Sequence, residues 1–359
     1  MQNPIITIFV FVTILFFYIH VTSQWKTSDD LEIYETDFES PAHLQEVCSV
    51  KQPVLLKLAK HPAASPFFER FQAAQFEKYD NIDIRLKDRS DYADANGSSV
   101  EYVPVTFRSA RRLMSTDTNA KYFSENNHAF LEESGLDRLS AMLDPLLKPP
   151  LSAHTKYDIL LGSPLATTPL RYHLESHRFL AVTRGKIRVK LCPPKYSKIL
   201  SVTKDYEGYE FYSTFNPWLA ADNQPQKDVA QKLKFLDVEV NSGDVLFLPM
   251  YWWYSISFSG DPETTAATFG YDVAMNILAQ AKHWGLYYLQ QSNIKTRPAK
   301  TLSMSTEKTL STEKTLSLSL SDQTDTGIDE TTRVDTTVET SQNKEIVTNA
   351  GIYVTNNIQ

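Results

Sequence analysis

The sequence has little cysteine and no surplus of positive charge. Its 359 residues include only two cysteines, Cys48 and Cys192, and neither lies in a CxxC or other metal-ligand spacing. Redox chemistry has no support, and two buried thiols are favoured over one disulfide. The formal net charge is -7, the pI is near 5.7, and no basic patch is interleaved with aromatic residues. These absences argue against nucleic-acid binding and favour small molecules or proteins as partners.

Several common catalytic motifs are also missing. The chain contains no Gly-rich phosphate loop, no G-x-S-x-G nucleophile elbow and no H-E-x-x-H zinc helix. No motif therefore points to a phosphate-loop nucleotidase, an α/β-hydrolase or a zinc protease of the H-E-x-x-H type. Hydrophobic residues make up 42% of the chain and aromatic residues 12%, which is enough to bury a sizeable core.

The longest apolar run lies at the amino terminus. Residues 5–21 are almost continuously apolar, and no charged side chain occurs before Lys26. This length is at the short end for a membrane-spanning helix and slightly long for the apolar region of a cleaved signal. Residues 1–23 are predicted to form a single-pass membrane anchor. The alternative is a signal peptide cleaved before Gln24, which would leave a secreted or lumenal protein. The sequon at Asn96 would be glycosylated if its loop is lumenal.

Composition divides the rest of the chain into three parts. Residues 30–150 mix helical and strand patterns, and residues 151–295 are rich in short strands separated by tight turns. Residues 296–359 are dominated by Ser, Thr and mixed charge, and they contain an immediate repeat of the sequence STEKTL. Such a segment cannot bury enough apolar area to offset its ordering entropy, so a disordered tail is predicted.

Apolar periodicity and turn residues place the main elements. A buried strand is predicted at residues 54–58, and amphipathic helices are predicted at 66–79, 136–147 and 272–290. Two β-hairpins are predicted, the first with strands at 179–182 and 187–191 and the second with strands at 233–240 and 245–248. A further strand is predicted at 252–258. The fold class is therefore mainly β, with a helical N-terminal part.

The strongest motif is SGDVLFLPMYWW at residues 242–253. It reads as a tight turn, a buried strand, a proline that ends the pairing, and an aromatic pair. It closely resembles the G-D-x-L-(F/Y)-(I/L)-P-x-x-W-W-H segment of the cupin-type JmjC-like 2-oxoglutarate oxygenases, particularly their asparaginyl-hydroxylase branch. Residues 168–170, 184–186 and 191–194 are similar, in order, to the T-P-L-H-x-D, G-x-K and P-P stretches of that family. The resemblance implies a double-stranded β-helix, the cupin jelly roll, with its core at residues 151–295.

Members of that family hold Fe(II) with two histidines and a carboxylate, and this chain departs at all three positions. The resemblance places Arg171 at the first histidine, His173 at the carboxylate and Tyr254 at the distal histidine. Arginine stays protonated and cannot act as a neutral metal ligand. On this alignment no family ligand survives, and no metal cofactor is expected.

A second alignment, shifted by two residues, retains a candidate metal site. His173, Glu175 and His177 would face one side of a regular strand, because residues two apart project to the same face. They are N and O ligands that suit Zn²⁺, Fe²⁺ or Mn²⁺. The competing interpretation is a polar strand face on which Arg171 and Glu175 pair, and it is favoured.

Two further residues match cosubstrate positions of the family. Thr168 aligns with a threonine that hydrogen-bonds 2-oxoglutarate, and Lys186 lies one residue before the lysine that anchors it. Two functions remain open. The favoured one is a catalytically degenerate cupin/JmjC-like binding module in the membrane or secretory system. The alternative is an Fe(II)/2-oxoglutarate-dependent protein hydroxylase with unusual metal ligation. The helix predicted at 272–290 has apolar area for a homodimer.

Overall fold

The computed structural model describes residues 4–293, apart from residues 74–75, 95–99, 101, 220–223 and 262. The described residues all belong to one compact unit, Met1–Lys300. The tail predicted at residues 296–359 and the sequon at Asn96 lie outside the described residues, so those two predictions stay predictions. The elements below all belong to this unit.

Helices dominate the first half of this unit and strands the second. The α-helices are α1 (Pro4–Gln24), α2 (Pro41–Ser49), α3 (Ser65–Ala73), α4 (Asp91–Asp94), α5 (Phe107–Thr116), α6 (His128–Ser134), α7 (Leu136–Ser140), α8 (Asp144–Leu147), α9 (Ser197–Leu200), α10 (Gln224–Ala230), α11 (Ala274–Ala279) and α12 (Ala281–Asn293). Three short 3₁₀ helices lie at Phe76–Tyr79, Ala141–Leu143 and Pro194–Tyr196. The strands are β1 (Tyr34–Asp37), β2 (Val54–Lys57), β3 (Asp83–Asp88), β4 (Val103–Thr106), β5 (Tyr122–Ser124), β6 (Ser152–Gly162), β7 (Leu170–Tyr172), β8 (His177–Arg184), β9 (Lys186–Cys192), β10 (Thr203–Asp205), β11 (Glu210–Ser213), β12 (Leu236–Asn241), β13 (Asp244–Pro249), β14 (Trp253–Phe258) and β15 (Thr265–Val273).

The strands form two sheets that share one core. The larger sheet has the order β1-β2-β13-β8-β15-β6-β5-β3-β4, and the smaller one has the order β10-β11-β7-β14-β9-β12. Leu180 of β8 and Leu246 of β13 pack in one apolar cluster with Ile187 and Val189 of β9, so the sheets enclose this cluster between them. The predicted mainly-β fold, with a helical N-terminal part and a jelly roll, is confirmed.

The larger sheet is covered on its other face by helices. Phe179 and Phe247 alternate with the inward-facing residues of β8 and β13, and they pack with Phe67 of α3 and Leu131 of α6 in a second cluster. A strand exposes alternate side chains to opposite faces, so a strand buried on both sides reads as a continuous apolar run. This explains why the runs at 179–182 and 245–248 show no polar alternation.

The strands of the two predicted hairpins are confirmed, but their pairing is wrong. β8 lies in the larger sheet and β9 in the smaller one, and the same separation holds for β12 and β13. The turn at Gly185, with φ 67°, and the turn at Gly243, with φ 95°, therefore carry the chain from one sheet to the other. A Cβ atom on Gly243 would lie 2.6 Å from the Cβ atom of Ala59, so close packing adds to the backbone requirement for glycine.

The predicted helices are shorter than their sequence patterns. The pattern at 66–79 becomes α3 and a 3₁₀ turn, and the pattern at 136–147 becomes α7, a 3₁₀ turn and α8. The helix predicted at 272–290 begins only at α11, because residues up to Val273 continue β15. Cys48 and Cys192 are both free and buried, as favoured by the sequence.

The apolar amino-terminal run forms the single helix α1. Its hydropathy is 2.4, and its apolar side chains are exposed to the surroundings. By length and composition it fits a membrane span or a signal sequence. Its carboxyl end contacts the globular part, where Trp25 Nε1 donates a hydrogen bond of 3.2 Å to the carbonyl of Ala279.

Candidate functional site

The residues at the family's ligand positions come together in the smaller sheet. Arg171 on β7 lies directly opposite Tyr254 on β14. The guanidinium carbon of Arg171 is 5.4 Å from the centroid of the Tyr254 ring. The imidazole of His173 lies 5.8 Å from that same ring, centroid to centroid. The first alignment thus places three neighbouring side chains at one point of the barrel interior.

Arg171 forms a buried ion pair with Glu125, a residue that follows β5. The Arg171 Nη1 atom donates to the Glu125 Oε1 atom, and the exposed fractions of the two residues are 7% and 4%. Burial acts to lower the pKa of the Arg171 guanidinium, but the carboxylate of Glu125 outweighs it, so the pKa lies well above its usual range. The Arg171 guanidinium therefore stays charged inside the barrel.

Side chains fill the space around this ion pair. The cavity that Arg171, Glu125, Asp158 and Tyr254 line has a volume of about 10 Å³. A buried water molecule needs roughly 10–15 Å³ by this measure, together with polar partners. This cavity beside Arg171 therefore has room for about one water molecule.

His173 is held by a main-chain oxygen. Its Nε2 atom lies 3.1 Å from the carbonyl oxygen of Leu248, so in the neutral ring Nε2 carries the proton and donates it. The Nδ1 atom is buried and has no hydrogen-bond partner among the described residues. Burial lowers the pKa of His173 to about 3, which keeps the imidazole neutral at physiological pH.

The second alignment requires a regular strand that the structure does not have. β7 ends at Tyr172, so the side chains of His173, Glu175 and His177 do not share one strand face. The carboxylate of Glu175 pairs with Arg178 at 3.3 Å. The His177 ring packs against Phe247, with 5.7 Å between centroids.

Neither residue set fits Fe(II). Within residues 4–293, as far as they are described, no group of three His, Cys, Asp or Glu side chains is placed to hold a metal ion. In the set Arg171, His173 and Tyr254, a guanidinium occupies the place of a metal ligand. In the set His173, Glu175 and His177, each side chain contacts different neighbours. The favoured polar-face interpretation also needs a correction, since Arg171 pairs with Glu125 and Glu175 pairs with Arg178.

The two residues matched to cosubstrate positions have structural contacts instead. The Thr168 hydroxyl is buried and accepts a hydrogen bond of 2.9 Å from the amide of Ile256. Lys186 is exposed, and its ammonium lies 3.2 Å from Glu239 on the neighbouring strand β12. The next residue, Ile187, is the one that faces the barrel core. Lys186 thus projects away from the interior that a cosubstrate would occupy.

A second buried ion pair lies beside the first, and sequence reasoning missed it. Lys87 on β3 donates to both carboxylate oxygens of Glu210 on β11, at 2.7 and 2.8 Å. Tyr92 and Tyr102 donate their hydroxyls to that same carboxylate, at 2.9 and 2.5 Å. The one local signal is a lysine inside an alternating strand, and its partner is 123 residues away.

An open cleft adjoins this network. It has a volume of about 980 Å³ and lies between β6, the turn before β11, and helices α11 and α12. Trp284 and Tyr209 form part of its wall, with their rings stacked at 5.1 Å. Asn276 and Gln280 border it too; each is 1% exposed, and its amide oxygen has no hydrogen-bond partner in the described residues. Such orphaned acceptors are costly unless a donor reaches them.

The neutral state of His173 predicts acid lability. The pKa of His173 is about 3 in the folded chain and 6.5 as a reference, so protonation favours the unfolded chain as pH falls below 6.5. Between pH 7 and pH 5 this amounts to about 2 kcal/mol. The variant His173→Gln keeps a donor for the Leu248 carbonyl. Between pH 7 and pH 5 its free energy of unfolding should fall by about 2 kcal/mol less than that of the unmodified chain. Urea unfolding at both pH values measures it.

The comparison with His173→Gln is needed because another group titrates in the opposite direction. Burial, and then the neighbouring Glu175, raise the pKa of Asp272 to about 7, so its contribution to stability increases as pH falls from 7 towards 4. Asp272 is present in both proteins and cancels in the difference. Equal losses of stability in the two proteins would contradict the role given to His173.

One known family matches this chain. A family model described as the Cupin-like domain matches residues 40–277, which is more than half of the chain. The match includes every strand of the two sheets except β1, together with the Arg171–Glu125 pair and Tyr254. A search of the curated proteins found no match for the chain.

Proposed function

Since the chain belongs to the Cupin-like domain family, we propose that it uses the family barrel as a non-catalytic binding module, anchored to a membrane by α1. The observation that carries this proposal is the Arg171–Glu125 ion pair, which occupies the barrel interior beside Tyr254. An enzyme of the oxygenase type needs metal ligands and open space at that point. Here there is a positive charge with its counter-ion, and about 10 Å³ of space.

The open cleft beside the barrel is the proposed ligand site. Its volume of about 980 Å³ suits a small molecule or a short protein segment. The polar side chains of His154 and Lys156 in its wall favour a ligand with hydrogen-bonding groups. Trp284 and Tyr209 offer aromatic faces in the same wall. The ligand would be held by hydrogen bonds and ring contacts, without chemistry.

The carboxyl-terminal helix α12 supports a protein partner as well. Tyr288 and Leu289 on this helix have exposed fractions of 65% and 67%. Exposed apolar side chains that lie together favour an interface between proteins. A second copy of this chain is the partner that we propose for this surface.

The alternative function is an Fe(II)/2-oxoglutarate-dependent protein hydroxylase with unusual ligation. The observation that favours it is the buried Nδ1 atom of His173, which has no hydrogen-bond partner in the part of the chain that the structure describes. The phenol of Tyr254 would be a poor second ligand for Fe(II), since an ordinary tyrosine loses its proton near pH 10. The other two candidates, Glu175 and His177, have separate neighbours.

Reconstitution with iron separates the two functions. The full-length chain, purified in detergent and incubated anaerobically with Fe(II), should retain no stoichiometric iron after desalting. Calorimetric titration with 2-oxoglutarate should show no binding, because Arg171 and Glu125 fill the interior. The measurements are metal analysis and calorimetry on one preparation, whose folding is checked by circular dichroism.

The opposite result has its own control variant. One iron per chain, with 2-oxoglutarate binding that is lost in His173→Ala, would refute the binding-module proposal and establish the hydroxylase. Lys186→Ala serves as the matched control, because Lys186 is exposed and pairs with Glu239 outside the barrel. This variant should behave like the unmodified chain in every arm.

A further inference from the structure

A second cleft lies where α1 meets the globular part. Its volume is about 690 Å³, and residues at the carboxyl end of α1 line it together with α2, β8 and the turn before β14. Two lysines, Lys26 and Lys51, line this cleft together with His177, whose imidazole is neutral because burial, and then Lys51, lower its pKa to about 4. None of its described lining residues is an aspartate or a glutamate. We call it the α1 cleft.

The end of α1 is held against this cleft by specific contacts. The Lys51 ammonium donates to the carbonyl oxygens of Ser23 and Gln24, at 2.6 and 3.4 Å. Trp25 is tied to the carbonyl of Ala279 on the other side. If α1 crosses a membrane, its last turn marks the membrane surface. The α1 cleft would then open at the level of the lipid headgroups.

The basic groups in the α1 cleft have no acidic neighbour within its wall. Burial, and then the charge of Lys26, lower the pKa of Lys51. Two carboxylates close to Lys26 along the chain have hydrogen-bond partners outside the cleft wall. Asp29 accepts from the amide of Lys195 at 3.1 Å, and Asp30 accepts from Gln52 at 3.1 Å. The described wall of the cleft therefore carries two lysines and no carboxylate, which favours an anionic ligand.

The backbone at Lys51 is in a conformation that lysine rarely adopts. Its φ is 59°, and it follows the last turn of α2, where its amide donates to the carbonyl of Cys48 at 3.0 Å. Glycine or asparagine is preferred at this position of a helix end. Keeping a lysine there costs backbone strain, because its Cβ atom crowds the following carbonyl oxygen in the left-handed region. Its ammonium is thereby directed at the end of α1.

We propose that the α1 cleft binds the phosphate group of a membrane lipid headgroup. This inference rests on the proposed anchoring of the chain by α1. Phosphate oxygens are acceptors, and the ammonium groups of Lys26 and Lys51 are the donors that they require. The apolar chains of such a lipid would lie beside the exposed apolar surface of α1. The headgroup would occupy the 690 Å³ space next to the last helical turn.

The test titrates a lipid phosphate into the full-length chain. Dihexanoyl phosphatidic acid is added to the protein in a neutral detergent, and binding is measured by calorimetry. The unmodified chain should show one saturable site. The double variant Lys26→Gln/Lys51→Asn should bind roughly thirtyfold more weakly, because each lysine near an anionic headgroup contributes about a fivefold gain in affinity. Asparagine suits the left-handed backbone at position 51, so the variant should fold.

A lysine outside the cleft provides the matched control. Lys60 is exposed beyond the other end of β2, and Lys60→Gln should bind like the unmodified chain. Equal binding by the double variant, or no binding by the unmodified chain, would overturn the proposal. Inorganic phosphate that binds as tightly as the lipid, with the same dependence on the lysines, would also overturn it in favour of a soluble anion.

Mass analysis of the purified chain separates a failure here from a failure of the proposed function. An amino terminus that begins at Gln24 would show that α1 is removed, and the headgroup proposal would fall. The binding-module proposal for the barrel would be unaffected by that result. Iron binding in the reconstitution experiment would refute the binding-module proposal for the barrel. It would leave the headgroup proposal unaffected, because that experiment concerns the barrel and not the α1 cleft.

Discussion

Replacing Glu125 by leucine is expected to lower the free energy of unfolding by about 3–5 kcal/mol. The substitution leaves the guanidinium of Arg171 buried inside the barrel without its counter-ion. Few partners can replace the lost carboxylate, because the cavity around Arg171 holds only about 10 Å³. Chemical unfolding of the two proteins in the same detergent, followed by tryptophan fluorescence, measures the difference.

The double variant Glu125→Leu/Arg171→Met is the matched control for this prediction. It removes both charges and keeps apolar volume at both positions, and we expect its stability to lie within about 1 kcal/mol of the unmodified chain. Stability restored in the double variant would show that the ion pair is not needed for folding. It would also show that Glu125→Leu is destabilised because it leaves the charge of Arg171 unpaired. If Glu125→Leu is as stable as the unmodified chain, the claim that Arg171 and Glu125 form a buried ion pair is contradicted.

The second large effect is expected for Lys87→Met. Lys87 is 1% exposed and is the cationic partner of the Glu210 carboxylate. Its removal leaves Glu210 with two tyrosine hydroxyls and the amide of Asn126 as donors, and no positive charge in contact. We expect a loss of about 3–5 kcal/mol in the free energy of unfolding at pH 7, measured by urea unfolding.

This loss should shrink as the pH is lowered. Burial raises the pKa of Glu210, but Lys87 outweighs burial, so the pKa lies below the usual value of 4.5. In the unmodified chain Glu210 therefore contributes stability that is present above pH 4.5 and is lost as pH falls through its folded pKa. Without Lys87, burial should raise that pKa, and protonation would then favour the folded variant. A pH-independent difference between the proteins would contradict this account.

An exposed ion pair shows how large these losses in the free energy of unfolding would be without burial. Lys186→Met removes the partner of Glu239, where both side chains are about half exposed. Such pairs contribute about 0–1 kcal/mol, because water screens the charges and both side chains lose freedom. If Lys186→Met loses this little stability and Lys87→Met loses much more, then burial, and not charge alone, determines how much an ion pair contributes to the free energy of unfolding.

The two buried ion pairs also bear on how the fold is used. Arg171 with Glu125 and Lys87 with Glu210 lie in one interior region, since the Glu210 carboxylate is influenced by both cations. Apolar residues of similar volume would often give equal or greater stability at such positions. We therefore infer that the two ion pairs are retained because they set the electrostatic environment beside the open cleft, and not because they stabilise the fold. This role supports the binding-module proposal.

Local patterns were sufficient to predict the class of fold. Continuous apolar runs predicted the strands β8, β13 and β14, because a strand buried on both faces has no polar side. The motif at residues 242–253 and the similar stretches upstream predicted the family. They did so because they combine a turn glycine, a buried strand and an ending proline in an order that one family shares. The apolar run of α1 predicted its helix, and its length left span and signal both open.

The pairing of the strands and the contents of the barrel were decided only by the tertiary structure. The turns at Gly185 and Gly243 look like hairpin turns in the sequence, since a tight turn between apolar runs does not specify which sheet receives the next strand. Glu125 carried no signal of its own, because its partner Arg171 is 46 residues away. Whether a charged residue is on the surface or inside a barrel depends on what covers it, and that is settled when the two sheets and the preceding helices pack together.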